Sequence, residues 1–130
     1  MTNMPNAFFE IERHPESRTA TLWLNRPDKK NLMNWDFWEG LPSVVAELEA
    51  DTDVRAVVIA GHGDHFSIGI DFKDFFVQMG GIFQEKTADS REELYHKIKL
   101  MQKGFIAIDE AKKPYIAAVH GYCIGAGLDL

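Results

Sequence analysis

Cysteine is nearly absent: Cys123 is the only one in 130 residues. A single thiol excludes an internal disulfide and suits a reducing compartment, so a cytoplasmic setting is expected. Cationic excess is missing too. Fourteen Lys and Arg stand against 20 Asp and Glu, a formal net charge of −6, which argues against a nucleic-acid partner. No apolar run approaches the roughly 20 residues that cross a bilayer, so no membrane span is expected. The opening MTNMPNAFFEIERHPE has neither the basic-then-apolar layout of a secretory signal nor the Arg-rich, acid-poor layout of a transit peptide. Low-complexity tracts and internal repeats are lacking. The histidines at 14, 62, 65, 96 and 120 do not show the paired spacing of a metal site, and no metal is expected.

What is there suits one globular domain or part of a larger one: 45% of residues are hydrophobic and 26% charged. FFEIERH (8–14) and RTATLWLN (18–25) alternate with period two around Pro15-Glu16-Ser17, which predicts an antiparallel hairpin. RPDKKN (26–31) reads as a polar loop. Asn34 is placed to cap a helix over WDFWEGLPSVVAELEA, with Asp36 near its positive end and a kink or restart expected at Pro42. Trp35, Phe37 and Trp38 at its start read as core or subunit interface. VRAVVIAG (54–61) is apolar and β-branched, as in a strand covered on both faces. SIGIDFKDFF leads into a short helical piece, which Asp71 is placed to cap, and 79–89 is the least regular stretch. Ser90 and Glu93 form a capping box for a long helix to about Ala111, with Leu94, Ile98, Met101, Phe105 and Ile108 at helical spacing. PYIAAVHG, from Pro114, reads as another short buried strand. Apolar strands separated by helices predict a parallel crossover and an α/β or mixed architecture.

Two segments share a pattern. VVIAGHGDHFSIGID and YIAAVHGYCIGAGLD each carry a buried strand into a glycine turn with an aspartate soon after. Glycine lets a ligand approach the main chain, and peptide N–H groups at such turns lack internal partners. Two of them from separate turns can grip one carbonyl oxygen as it gains charge. A glycine after a strand can equally do no more than reverse the chain. Neither turn is a nucleotide fingerprint, since Gly-x-Gly-x-x-Gly and Gly-Lys-Ser/Thr are both missing.

LNRPDKKNLMN (24–34), VRAVVIAGHGDHFSIGIDFKDF (54–75) and KPYIAAVHGYCIGAGLDL (113–130) resemble, in order and spacing, the signatures of the enoyl-CoA hydratase/isomerase, or crotonase, family. That resemblance implies an α/β crotonase-like spiral of ββα units and an enzyme acting on acyl-CoA thioesters. It implies no metal or redox cofactor, CoA being part of the substrate, and assembly as a homotrimer or a dimer of trimers. It assigns the amides of Ile70 and Ala126 to a thioester enolate oxygen, with alanine where the family usually has glycine at the second position. Ser67, Ile68, Gly69 and Ile70, with Gly125 and Ala126, would line the bound CoA thioester. Asp129 takes the place where typical hydratases of the family carry glutamate. HGYCIGAGLDL and FSIGIDFKDF look most like the Δ3,5-Δ2,4-dienoyl-CoA isomerase branch, in which aspartate is usual there, and this implies a double-bond shift by proton transfer in fatty-acid β-oxidation. A 2-enoyl-CoA hydratase and a non-catalytic acyl-CoA-binding module are the alternatives.

Asp129 can also be read as a carboxylate near a helix N-terminus. Phe72, Phe75 and Phe76 are core or a wall of the acyl pocket, Lys73 is solvated or meets a CoA phosphate, and Cys123 is a small buried residue. Domains usually finish in polar, frayed segments, whereas this chain ends on GLDL just after an apolar strand. Residues 1–7 are therefore expected to be a tail and 8–130 the N-terminal half of a longer catalytic domain, whose further acids follow Leu130.

Overall fold

A computed structural model describes residues 7–130. The hairpin forms as the alternation predicts. β1 (Phe9–His14) runs antiparallel to β2 (Thr19–Leu24), Phe9 opposite Leu24 and Ile11 opposite Leu22. The helix α1 (Trp35–Ala50) carries the chain over to β3 (Ala56–Gly61), which lies parallel to β2. Two helices, α2 (Phe72–Met79) and α3 (Ala88–Asp109), then lead to β4 (Tyr115–Ala118), parallel to β3, and the short α4 (Ala126–Asp129) follows. The sheet order is β1-β2-β3-β4, so the fold class is α/β as expected.

Residues two apart share a sheet face. Ala20, Leu22, Leu24, Val57 and Ile59 of one face are fully or almost fully buried, in one cluster with Phe37, Leu41, Val44, Val45 and Leu48 of α1. Asn34 caps α1 by accepting the Phe37 N–H, and Phe37 and Trp38 pack edge to face with ring centres 4.9 Å apart inside the core. At the other end, Lys113 donates to the carbonyls of Leu48 and Asp51, and Arg13 pairs with Glu47 and Asp51. These cations sit where the helix leaves its last carbonyls unpaired.

α3 packs along α1, and Gly104 permits the close approach. A methyl group there would lie 2.7 Å from Leu41 Cβ and Cγ. Gly→Ala inside a helix normally gains about 1 kcal/mol of propensity, but overpacking a tight core costs about 1–3 kcal/mol. Gly104→Ala is therefore expected to lower the thermal midpoint, and a rise would mean that the helices slide apart without penalty.

Three local expectations are corrected and one is narrowed. α1 runs unbroken through Pro42; the ring removes one N–H donor, and the packed face on either side of it holds the helix together. The capping box at α3 consists of Thr87 and Ser90, not Ser90 and Glu93. Ser90 sits one turn in, where its hydroxyl also reaches the Glu85 carbonyl at 2.6 Å. β4 is mostly exposed rather than buried, with Ile116 at 56%, because it is an edge strand flanked by β3 alone. Of Phe72, Phe75 and Phe76, read as core or as a wall of the acyl pocket, only Phe75 packs against the core; Phe72 and Phe76 are exposed, since the buried position of α2 is taken by Met79.

Candidate active site

Three loops meet at the carboxyl ends of the parallel strands. The middle one, 62–71, leaves β3 and lies between the loop after β2 and the loop after β4. On one side Phe66 N–H donates to His120 O (2.8 Å), Ser67 N–H to Tyr122 O (3.2 Å), and Ile124 N–H to Ser67 O (3.1 Å). His65 reinforces this seam: its Nδ1 accepts the Tyr122 N–H, and the two rings stack 4.3 Å apart. On the other side Ile68 N–H donates to Lys30 O, Met33 N–H to Gly69 O, and Asp71 N–H to Met33 O.

Asn31 anchors this second side. It is fully buried in a left-handed backbone conformation, φ 55°, which asparagine tolerates better than most residues. Its side-chain N–H2 reaches the carbonyls of His62, His65 and Phe66 at 2.9–3.0 Å, and its Oδ1 accepts the Arg26 N–H. Arg26 in turn donates to Leu32 O and pairs with Asp71 at 2.7 Å. Burial pushes the Asp71 carboxyl up, but Arg26 and the backbone N–H groups of Asp74 and Lys73 outweigh it and hold its pKa below the usual carboxylate range. Asp71 thereby stays charged and caps α2 by accepting the Asp74 N–H.

This bracing leaves two amides over. Among the described residues, neither Ile70 N–H nor Ala126 N–H has an acceptor. They belong to neighbouring turns: Gly69, with φ 95°, passes so close that a methyl on it would lie 3.2 Å from Ala126 N and 2.9 Å from Ile124 O. Ile70 is half-buried, and Ala126 is 8% exposed with its methyl in the core cluster. Alanine at 126 thus leaves the N–H unobstructed. Paired free donors in a partly water-excluded place are what a developing oxyanion requires.

Residues 15–130 match the model of the enoyl-CoA hydratase/isomerase family. The chain belongs to that family. Over 121 residues it is 36% identical to the peroxisomal Δ(3,5)-Δ(2,4)-dienoyl-CoA isomerase of Arabidopsis thaliana, a match of 92% of this chain and 44% of that protein. The mitochondrial isomerase of that name from Homo sapiens is 44% identical over 110 residues, 82% of this chain and 33% of that protein. A solved enoyl-CoA hydratase/isomerase from Xanthobacter autotrophicus Py2 superposes with a TM-score of 0.74 at 26% identity, covering 94% of this chain and 42% of that one. The fold is thus the crotonase fold, of which the chain spans the N-terminal portion, less than half the length of these relatives.

The residues singled out in the sequence fall around these turns unevenly. Ile70, Gly69, Gly125 and Ala126 come together on the adjoining turns, and Ile68 lies half-buried beside them with its N–H on Lys30. Asp129 ends α4 and is exposed. Ser67 is fully buried, and its N–H, C=O and hydroxyl all have protein partners. Asn31, Arg26 and His65 lie within the blocks that carry the family resemblance, but their bracing roles join the site through the structure alone. Among the described residues, no group of three or more His, Cys, Asp or Glu could hold a metal ion.

Proposed function

We propose that these residues form part of an acyl-CoA isomerase that shifts the double bonds of a dienoyl-CoA by proton transfer through a thioester enolate. The single observation that carries this reading is the pair of unpartnered amides, Ile70 and Ala126, on turns in direct contact. An α-proton next to a thioester is weakly acidic, so its removal depends on donors already aimed at the oxygen that gains charge. One such donor is typically worth about 3–4 kcal/mol in rate. Backbone donors need no reorganisation, and only a substitution to proline deletes one. The family resemblance of FSIGID and GAGLD, and the isomerase names of the relatives above, favour the isomerase over the hydratase branch.

In this reading Asp129 is an acid of the proton path, and CoA enters as part of the substrate without a further cofactor. Phe72, Phe76 and Phe83, all exposed, offer with half-buried Phe75 an apolar surface suited to an acyl chain. Assembly as a trimer or hexamer, for sedimentation to measure, and a cytoplasmic location complete the proposal.

The test is an ultraviolet assay of the full-length protein, offered a 3,5-dienoyl-CoA and a 2-enoyl-CoA separately. A growing red-shifted dienoyl band with the first substrate is expected. Bleaching of the enoyl band with the second, and no change in the first, would make the protein a hydratase, and binding without turnover of either would make it a binding module. Asp129→Asn is expected to lower isomerase turnover by about 10²–10⁴-fold, the usual effect of a positioned acid or base. Near-normal turnover would remove Asp129 from the proton path.

A further inference from the structure

The hydroxyl of Ser67 belongs neither to the core packing nor to the ligand surface. It donates to Asn31 O at 2.8 Å and accepts the Gly69 N–H at 3.1 Å, with the residue fully buried. The Ser67 peptide is engaged as well, its N–H on Tyr122 O and its C=O receiving the Ile124 N–H. One residue therefore touches all three loops. Its hydroxyl fixes the Asn31 loop and the Ile68–Gly69 peptide, one peptide before the Ile70 N–H, and its main chain fixes the segment leading to Ala126. The carbonyl is also the floor for α4, because a methyl on Gly127 would lie 2.7 Å from Ser67 O.

We infer that the Ser67 hydroxyl is a positioning group that sets the relative placement of the Ile70 and Ala126 amides. This rests on the functional reading above. Without the hydroxyl, Gly69 N–H loses its acceptor and Asn31 O loses its donor inside a buried loop. The Ile68–Gly69 peptide is then untethered, and the Gly69–Ile70 peptide hangs only on the Met33 N–H of a loop whose Asn31 carbonyl has lost its donor, while Ile124 N–H stays on the Ser67 carbonyl. The donors part, and binding through the rest of the thioester persists.

Two variants of the full-length protein test this: Ser67→Ala, and Ser67→Cys, which keeps a polar atom in the cavity but offers only a weak donor and acceptor. The readouts are kcat and KM in the isomerase assay, together with the 13C shift of the thioester carbonyl of a bound, carbonyl-labelled acyl-CoA. Wild-type protein is expected to move that resonance downfield, the signature of a polarised carbonyl. In a folded variant kcat should fall about 10²-fold, as for a misplacement of roughly 1 Å, with KM changed less than about threefold and most of the downfield shift lost. Ser67→Thr, which retains the hydroxyl, should restore both. If Ser67→Ala does not melt cooperatively, Ser67→Cys and Ser67→Thr carry the comparison.

The inference is overturned if kcat and the carbonyl shift both survive in Ser67→Ala or Ser67→Cys, or if kcat falls and KM rises in proportion to lost stability with threonine giving no rescue. A wild-type protein that binds the thioester without shifting its carbonyl overturns the functional reading instead. The two failures are thereby distinct.

Discussion

Gly69→Ala is expected to lower turnover by about 10²–10³-fold, the effect of losing one oxyanion donor. Two costs coincide at this position. The backbone sits at φ 95°, where L side chains rarely go, and the new methyl would stand 2.9 Å from Ile124 O and 3.2 Å from Ala126 N. The chain relieves this by drawing the two turns apart, which separates the two amides proposed to hold one oxygen together. Gly80→Ala serves as the comparison, since Gly80 also has a positive φ, 54°, but open space around it. It should cost roughly 1–3 kcal/mol of stability through backbone strain and leave kcat unchanged. Steady-state kinetics and thermal melts of both variants make the test. Equal losses of activity in the two would attribute the effect at Gly69 to strain and not to donor spacing.

The largest loss of stability is expected from Asn31→Asp. The wild-type amide points N–H at three carbonyls within 3.0 Å in a fully buried place. A carboxylate there meets three acceptors and has nothing to donate. An uncompensated buried charge typically costs about 3–5 kcal/mol, a large share of a small domain's total stability. Burial and the facing carbonyls favour the protonated acid, so the pKa of the introduced carboxyl is higher in the folded than in the unfolded state. The native state then binds more protons than the unfolded state, and stability falls as pH rises from the unfolded value through the folded one. Denaturant melts should show Asn31→Asp less impaired at low pH than at neutral pH, each compared with wild-type protein at the same pH. A deficit independent of pH would make the cause steric.

The contrast between Asn34 and Asn31 separates what could be read from the sequence and what could not. Asn34 acts on an N–H three residues ahead, so its role follows from local spacing. The hairpin, the crossover through α1 and the start of α2 at Asp71 are readable for the same reason. The carbonyls that the Asn31 side-chain N–H2 reaches lie on the far side of the helix and strand that follow it, and no periodicity reports them; by its residues RPDKKN reads as a polar loop, and the family resemblance of the stretch names no partner for Asn31. The exposure of β4 escapes the sequence because a strand's composition records that it can be buried, not what lies against it. Thr87 and Ser90 are both competent caps, and the Glu85 carbonyl, which captures the Ser90 hydroxyl, decides between them. At the candidate site, resemblance to the family places the amides of Ile70 and Ala126, whereas the bracing around them emerges from the coordinates alone.

The parallel alignment of β3 with β4 has a kinetic meaning. Ile70 precedes and Ala126 follows a long excursion through α2 and α3, so the two amides cannot meet until that loop of chain has closed. Closure over such a distance is entropically slow, and contacts of high sequence separation form late in folding. Affinity for a thioester oxygen should therefore appear as one of the last events of folding, after the hairpin and α1 have gathered. Under the proposed function, a chain able to polarise a thioester has already completed its most distant strand pairing, and nascent or partly opened molecules would be silent toward it.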